Sequence, residues 1–499
     1  MSTIEEQKIL IELETMPFIV GPTENEQQRK QQVFDELGTK KEAIENTQCD
    51  TKSVLSTLIS RKNGISATSG LINFICGMIG PGCFSLAVSF KQAGLWGGLA
   101  LVFIVGFLSL YSMHKIVSCS QFLAKSNGDQ SLDYGEMAEA AMLNSYRWAR
   151  KHAKLAKIVV NACLLAFQLG VITVFMVFAV EHVIEIWEFI ADAPPPFSKS
   201  VMILLYFVPQ MLLNFIGHMK LITILCLCGN VIILAAIVLI TKVQDLSLNL
   251  NDITISLQEL MVHKWYPTWE LNTVTGIEGI SLAAGALIYS FEGQAMVLPL
   301  ENSLKHPKDM TGLTGVLSTA MNLVTVLYAF LGFFGYVTFG PAVQGSLTLN
   351  LPNSILTVSI KGLLVLKIFF GSAIQLFVIV QMLLPTLRSK ISDERKIVHR
   401  FLPYALRLGL MLISLCLALV VPNLMQIIPL VGITSGLLIS LILPSFLDCM
   451  VFLPVYKKQG DMFHYYQKMI INLFLFVLGW LFLGSGLYSS IDDIINNDV

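Results

Sequence analysis

The feature that most constrains this chain is a succession of apolar runs from about residue 66 to residue 489, each long enough to cross a bilayer as a helix. Hydrocarbon offers no partner to backbone N–H and C=O groups, so runs of this length, without the short alternation of barrel strands, fold as spanning helices. The loops between them carry a second regularity. Basic loops hold Arg61 and Lys62, then Arg147, Arg150, Lys151 and Lys154, then Lys305 and Lys308, then Arg388, Lys390, Arg395 and Lys396, then Lys457, Lys458 and Lys468. They alternate with loops poor in Lys and Arg, and this alternation predicts about eleven spans with the N-terminus cytoplasmic and the C-terminus outside.

Composition agrees and narrows the function. The 499 residues are 54% hydrophobic and 13% charged with a net charge of -1, which gives no global field for nucleic acid. Eight of the nine cysteines lie scattered in or beside apolar runs, with Cys226 and Cys228 the closest pair, and the histidines are equally dispersed, so no metal or other cofactor is expected. No nucleophile–base pair is visible, and an enzyme is not expected. Residues 1–62 are polar, lack the apolar core of a signal peptide, and read as a disordered cytoplasmic tail. Within them Glu6-Gln7-Lys8-Ile9-Leu10-Ile11 resembles an acidic dileucine sorting signal and also reads as an ordinary nascent helix.

Two spans are interrupted. The first, 66–90, contains Gly77-Met78-Ile79-Gly80-Pro81-Gly82, and the sixth, 276–300, contains Ser290-Phe291-Glu292-Gly293. Unwound backbone at membrane depth is tolerated only where protein buries it or it lines a cavity. If the first ten spans form two sets of five, these two open their respective sets and run in opposite directions, the pattern that marks a transport site near the bilayer midplane. The plainer alternative is that the glycines permit close helix packing. The expected division is a tail 1–62, a first five-helix repeat 63–240, an outer loop 241–275, a second inverted repeat 276–451, an eleventh helix 452–490 and an acidic outer tail 491–499.

The stretch from Ser290 to Gly293, continued by Val297-Leu298-Pro299-Leu300-Glu301-Asn302, resembles the sixth-span signature of proton-assisted amino acid transporters, a branch of the amino acid/auxin permease family. Leu132-Asp133-Tyr134-Gly135, Gly335-Tyr336, Phe339-Gly340 and Leu347-Thr348-Leu349-Asn350-Leu351-Pro352 are similar to further family positions in the same order. The resemblance implies an all-α polytopic membrane protein with a LeuT-like 5+5 inverted repeat plus one extra helix. It also implies symport of small neutral amino acids by alternating access in a lysosomal, endosomal or plasma membrane.

A zwitterionic substrate needs an anion site and a cation site side by side, and broken helices supply both. Gly77, Ile79, Gly80 and Gly82 are the candidates at the first break, and Ser290, Phe291 and Gly293 at the second. Amides starting a half-helix would hold the carboxylate, and freed carbonyls around Ser290 and Phe291 would take the ammonium. Glu292 is too costly to leave in hydrocarbon unpaired, so it serves either as a proton carrier or as a neutral or hydrogen-bonded cap of the unwound backbone. Lys361 is expected to snorkel outward, while Lys367 lies deeper and needs a partner or a wet cavity. Proton-coupled relatives often carry histidine at the position of Asn73; its amide oxygen, with the hydroxyl of Ser372, fits a sodium ligand set instead, or else an interhelical hydrogen bond. The coupling ion is therefore read as a proton, with sodium as the alternative. A further alternative is an amino acid sensor that signals to a cytosolic partner through its tail.

Overall fold

A computed structural model describes residues 64–126, 132–215, 228–229, 231, 266–350, 355–388, 391, 396–421 and 423–497. The tail 1–62, the predicted fifth span 221–240 and most of the loop 241–275 lie outside them.

The described chain is helical throughout. The first span is in three pieces, α1 (Ala67–Met78), α2 (Pro81–Phe84) and α3 (Leu86–Ala93), followed by the long α4 (Leu95–Ser126). Two short helices, α5 (Tyr134–Leu143) and α6 (Arg147–Arg150), precede α7 (Ala153–Ala191) and α8 (Lys199–Asn214). The sixth span is split into α9 (Ile277–Ser290) and α10 (Gln294–Ser303). Then come α11 (Val316–Phe339), α12 (Ile355–Arg388) and α13 (Lys396–Val420). The next span begins as α14 (Leu424–Val431), passes through π-turns at Gly432–Gly436 and Leu438–Ile442, and ends as α15 (Leu443–Gln459), before α16 (Met462–Asn497). Eight helices are long and apolar enough to cross a membrane among the described residues. The shorter α8 and the segmented first span add two of the remaining predicted crossings.

The third span is longer than its apolar stretch. It takes in Lys154, which sequence reading assigns to a loop, together with Lys157 at one end and Glu181, Glu185 and Glu188 at the other. Lys154 and Glu188 are exposed at the helix ends, whereas Lys157 pairs with Glu139, Glu181 with Lys199 and Glu185 with Lys361.

The two interrupted spans run antiparallel. On the side where the described chain starts, Ile65 N–H donates to Ser303 O (2.8 Å) and Lys305 N–H to Ile65 O (2.9 Å), tying the entry of α1 to the exit of α10. On the opposite side Thr275 N–H donates to Ala93 O (3.1 Å) and Leu95 N–H to Asn272 O (2.8 Å), tying the exit of α3 to the entry of α9. Accordingly α1 packs on α10 and α3 on α9, and the same correspondence continues with α4 on α11, α7 on α12 and α8 on α13. Same-numbered members of the two halves thus meet around the interrupted pair, while α16 lies outside against α15 and α9 with Phe463, Ile470, Phe474 and Leu481 exposed, as a lipid face requires.

Candidate substrate site

The first break follows from local chemistry. After Met78 the backbone extends through Ile79 (ψ 100°) and Gly80 (φ −142°, ψ −161°), and Pro81, which has no N–H to return to a carbonyl, starts the next half-helix at its first position. At the second, α9 stops at Phe291 and α10 begins after Gly293 (φ −125°, ψ 2°). The breaks touch. A Cβ on Gly82 would stand 2.8 Å from Ser290 Oγ and 2.9 Å from Ser290 Cα, so only glycine lets the backbones come this close. Gly293 faces the Phe74 ring in the same way at 3.0 Å, and Gly77 lies against Met296.

Broken helices leave carbonyls without intrahelical donors, and two side chains from other spans take them up. Tyr328 on α11 donates its hydroxyl to Met78 O (2.9 Å) and to Ser290 O (3.0 Å), one group bridging both breaks. Lys367 on α12 donates to Ile79 O (2.8 Å), the partner its depth calls for. The Ser290 carbonyl expected to meet a substrate ammonium therefore accepts from Tyr328 in this conformation, and the Ser290 hydroxyl donates to Ala286 O (2.8 Å). Phe291 is buried with its ring 4.9 Å from that of Tyr328, and Tyr289 packs near Phe167. Sequence reading missed Tyr328; its one signal was a phenol in the middle of a spanning run, where it must find an acceptor.

Glu292 has the geometry of the cap. Its Oε1 accepts from Gln294 N–H (2.9 Å), placing a carboxylate at the N-terminus of α10, where the helix dipole favours it. Gln294 in turn donates from Nε2 to Ser440 O (2.9 Å), and Tyr134 donates to Ile439 O (3.3 Å), so the second break is joined to the π-turns of the tenth predicted span. The motif Leu132-Asp133-Tyr134-Gly135 explains itself here. Asp133 and Glu136 form a reciprocal capping box at the start of α5, Gly135 lies against Asn161, and Leu132 O accepts from Asn302 Nδ2 (3.1 Å).

Asn73 and Ser372 are not brought into a common hydrogen-bonded set. Asn73 is exposed on α1, whereas Ser372 donates to Phe369 O (2.8 Å) and accepts from Asn214 Nδ2 (3.2 Å). Lys361 does not snorkel: it is fully buried, with Nζ 2.7 Å from Glu185 Oε2 on α7. One turn away His182, also fully buried, contacts Phe178 O (2.8 Å) and Thr348 Oγ1 (2.6 Å), and Glu181 pairs with Lys199 (2.6 Å). This bracing joins α7, α8, α12 and the loop before α12, and its links to Thr348 and Lys361 were unreadable because those partners lie far away in sequence. No cluster of three metal-ligating side chains occurs among the described residues.

A bundle of spanning helices whose two antiparallel, interrupted members meet at its centre, with their freed backbone held by side chains of neighbouring spans, defines a polytopic membrane transporter. Residues 63–489 match the family described as transmembrane amino acid transporter protein, of the amino acid/auxin permease type, and the chain belongs to that family. It is 29% identical to the probable amino acid transporter skat-1 of Caenorhabditis elegans over 87% of this chain and 91% of that one. It is 26% identical to the proton-coupled amino acid transporter-like protein pathetic of Drosophila melanogaster over 76% of each. Among solved structures it is similar to inward-facing Mhp1 (TM-score 0.48, 13% identity, 88% of this chain and 90% of that one). It is also similar to MhsT in complex with L-phenylalanine (TM-score 0.46, 13% identity, 87% and 98%). The chain is thus an amino acid transporter and not an enzyme.

Proposed function

We propose that this protein is a secondary active symporter of small neutral amino acids, working by alternating access of a LeuT-like 5+5 core around its two breaks. The observation that carries the reading is the contact of Gly82 with Ser290 under the bridging hydroxyl of Tyr328. Pro81 has no N–H, so the first amide that the second half-helix can offer a carboxylate is that of Gly82. Gly77, Ile79 and Gly80 would shape the same side of the site, and the carbonyls of Ser290 and Phe291, with Gly293, the ammonium side. Binding would require Tyr328 to give up one of its two carbonyls, a trade of one hydrogen bond for another.

Coupling to protons through Glu292 is favoured over sodium at Asn73 and Ser372, because those two residues have separate surroundings and the ammonium of Lys367 already sits on the carbonyl of the first break. A lysosomal or endosomal membrane is favoured by the Glu6–Ile11 motif, which, like any signalling role of the tail, lies outside the described residues. Uptake of labelled alanine, glycine and proline into proteoliposomes tests the reading. Accumulation should follow an imposed proton gradient and persist when sodium is replaced by choline; uptake indifferent to the gradient would refute proton coupling.

A further inference from the structure

Three buried oxygen atoms around the second break make no hydrogen bond of good geometry among the described residues, Glu292 Oε2, Gln294 Oε1 and Ser440 Oγ, although the Ala295 N–H also lies toward the Glu292 carboxylate. They belong to one neighbourhood. Gln294 N–H donates to Glu292 Oε1, and Gln294 Nε2 donates to Ser440 O. The second bond also fixes the amide's orientation, since only the NH₂ end can face a carbonyl, so Oε1 must point the other way as a bare acceptor. Gln294 is 1% exposed and Ser440 2%, and a buried acceptor without a donor is disfavoured unless something else satisfies it. Ser440 lies within the π-turn Leu438–Ile442, a helix distortion that recurs at functional sites.

We propose that Glu292, Gln294 and Ser440 form a site for a small hard monovalent cation, a proton or sodium, between the break of the sixth span and the π-turn of the tenth. One carboxylate, one amide and one hydroxyl oxygen offer a single negative charge and hard ligands, the chemistry that suits such an ion. With a proton, Glu292 Oε2–H becomes a donor, and a side-chain rotation would bring it to Gln294 Oε1 or Ser440 Oγ as acceptor; with sodium, the three oxygens would close onto the ion. Tyr134 on α5 commits its hydroxyl hydrogen to Ile439 O (3.3 Å), next to Ser440, and so has none to offer these oxygens. The cation would thereby link the half-helix α10 to the tenth predicted span, so that loading and unloading it changes how tightly the two are held. The site deepens the coupling reading above and rests on it.

The test uses the purified full chain in detergent or lipid, without flux. Infrared difference spectra between acidic and neutral pH should contain a carboxylic-acid C=O band that Glu292→Gln removes and that Ser440→Ala and Gln294→Met displace. That outcome assigns a proton. Alternatively, at alkaline pH, sodium but not choline should raise the melting temperature, and Glu292→Gln and Ser440→Ala should each weaken the half-saturating sodium concentration by about ten-fold or more. That outcome assigns sodium. A band or a sodium effect unmoved by both Ser440→Ala and Gln294→Met, or the absence of both signals, overturns the site. Cation binding with these signatures in a protein that carries no amino acid keeps the site and removes the symport reading, whereas proton-driven uptake with an unmoved band does the reverse.

Discussion

Tyr328→Phe isolates one hydroxyl at the centre of the molecule. The ring, buried against Phe291 at 4.9 Å between centroids, is kept, and only the donor to Met78 O and Ser290 O is lost. Leaving buried acceptors without their donor costs about 1–3 kcal/mol, and a central value of about 2 kcal/mol is about a 30-fold shift in an equilibrium. The shift should favour conformations in which the breaks part and water reaches Met78 O and Ser290 O. Cys83, 2% exposed and one residue beyond Gly82, is a native reporter of that opening. Its alkylation by a membrane-permeant maleimide, followed peptide by peptide by mass spectrometry, should accelerate by about 30-fold in the variant if opening precedes reaction. Amino acid uptake should change with it, because the closed arrangement would be less populated. An alkylation rate within two-fold of wild type in a folded variant would refute the idea that this hydroxyl holds the breaks together.

Three further outcomes follow from the same geometry. Gly82→Ala should abolish uptake and lower the melting temperature, since its Cβ would press on the Ser290 backbone, an overpacking cost of about 1–3 kcal/mol, while Gly80→Ala, whose nearest atom is Lys367 Nζ at 4.0 Å, should melt like wild type. Lys367→Met removes the ammonium from Ile79 O and should reduce proteoliposome uptake by about ten-fold or more, and Lys367→Arg should not restore it, because a planar guanidinium does not replace a compact ammonium. Glu185→Gln takes away the carboxylate 2.7 Å from the buried Lys361 ammonium and should destabilise the fold by about 3–5 kcal/mol, whereas Glu185→Gln with Lys361→Met should recover much of the lost melting temperature.

The sequence by itself determined the helical class, the family and the two places where helices must break. Those properties are local. Apolar length is counted along one run, Pro81 and its flanking glycines weaken a continuous helix through their own backbone chemistry, and loop charge is read loop by loop. It also brought the two breaks into correspondence, since the order of the spans makes them antiparallel. Tertiary structure alone decided what the breaks rest on. Tyr328 lies 250 positions from Met78 and Lys367 lies 288 from Ile79, and no periodicity within an apolar span says which neighbour a phenol or an ammonium will find. It also turned Lys361 from an outward-reaching side chain into a buried partner of Glu185, and it gave Ser372 a partner in Asn214. The physical reason is the same in each case. In hydrocarbon a polar side chain must be satisfied, which the sequence dictates, but the partner is chosen by helix packing, which only the folded bundle contains.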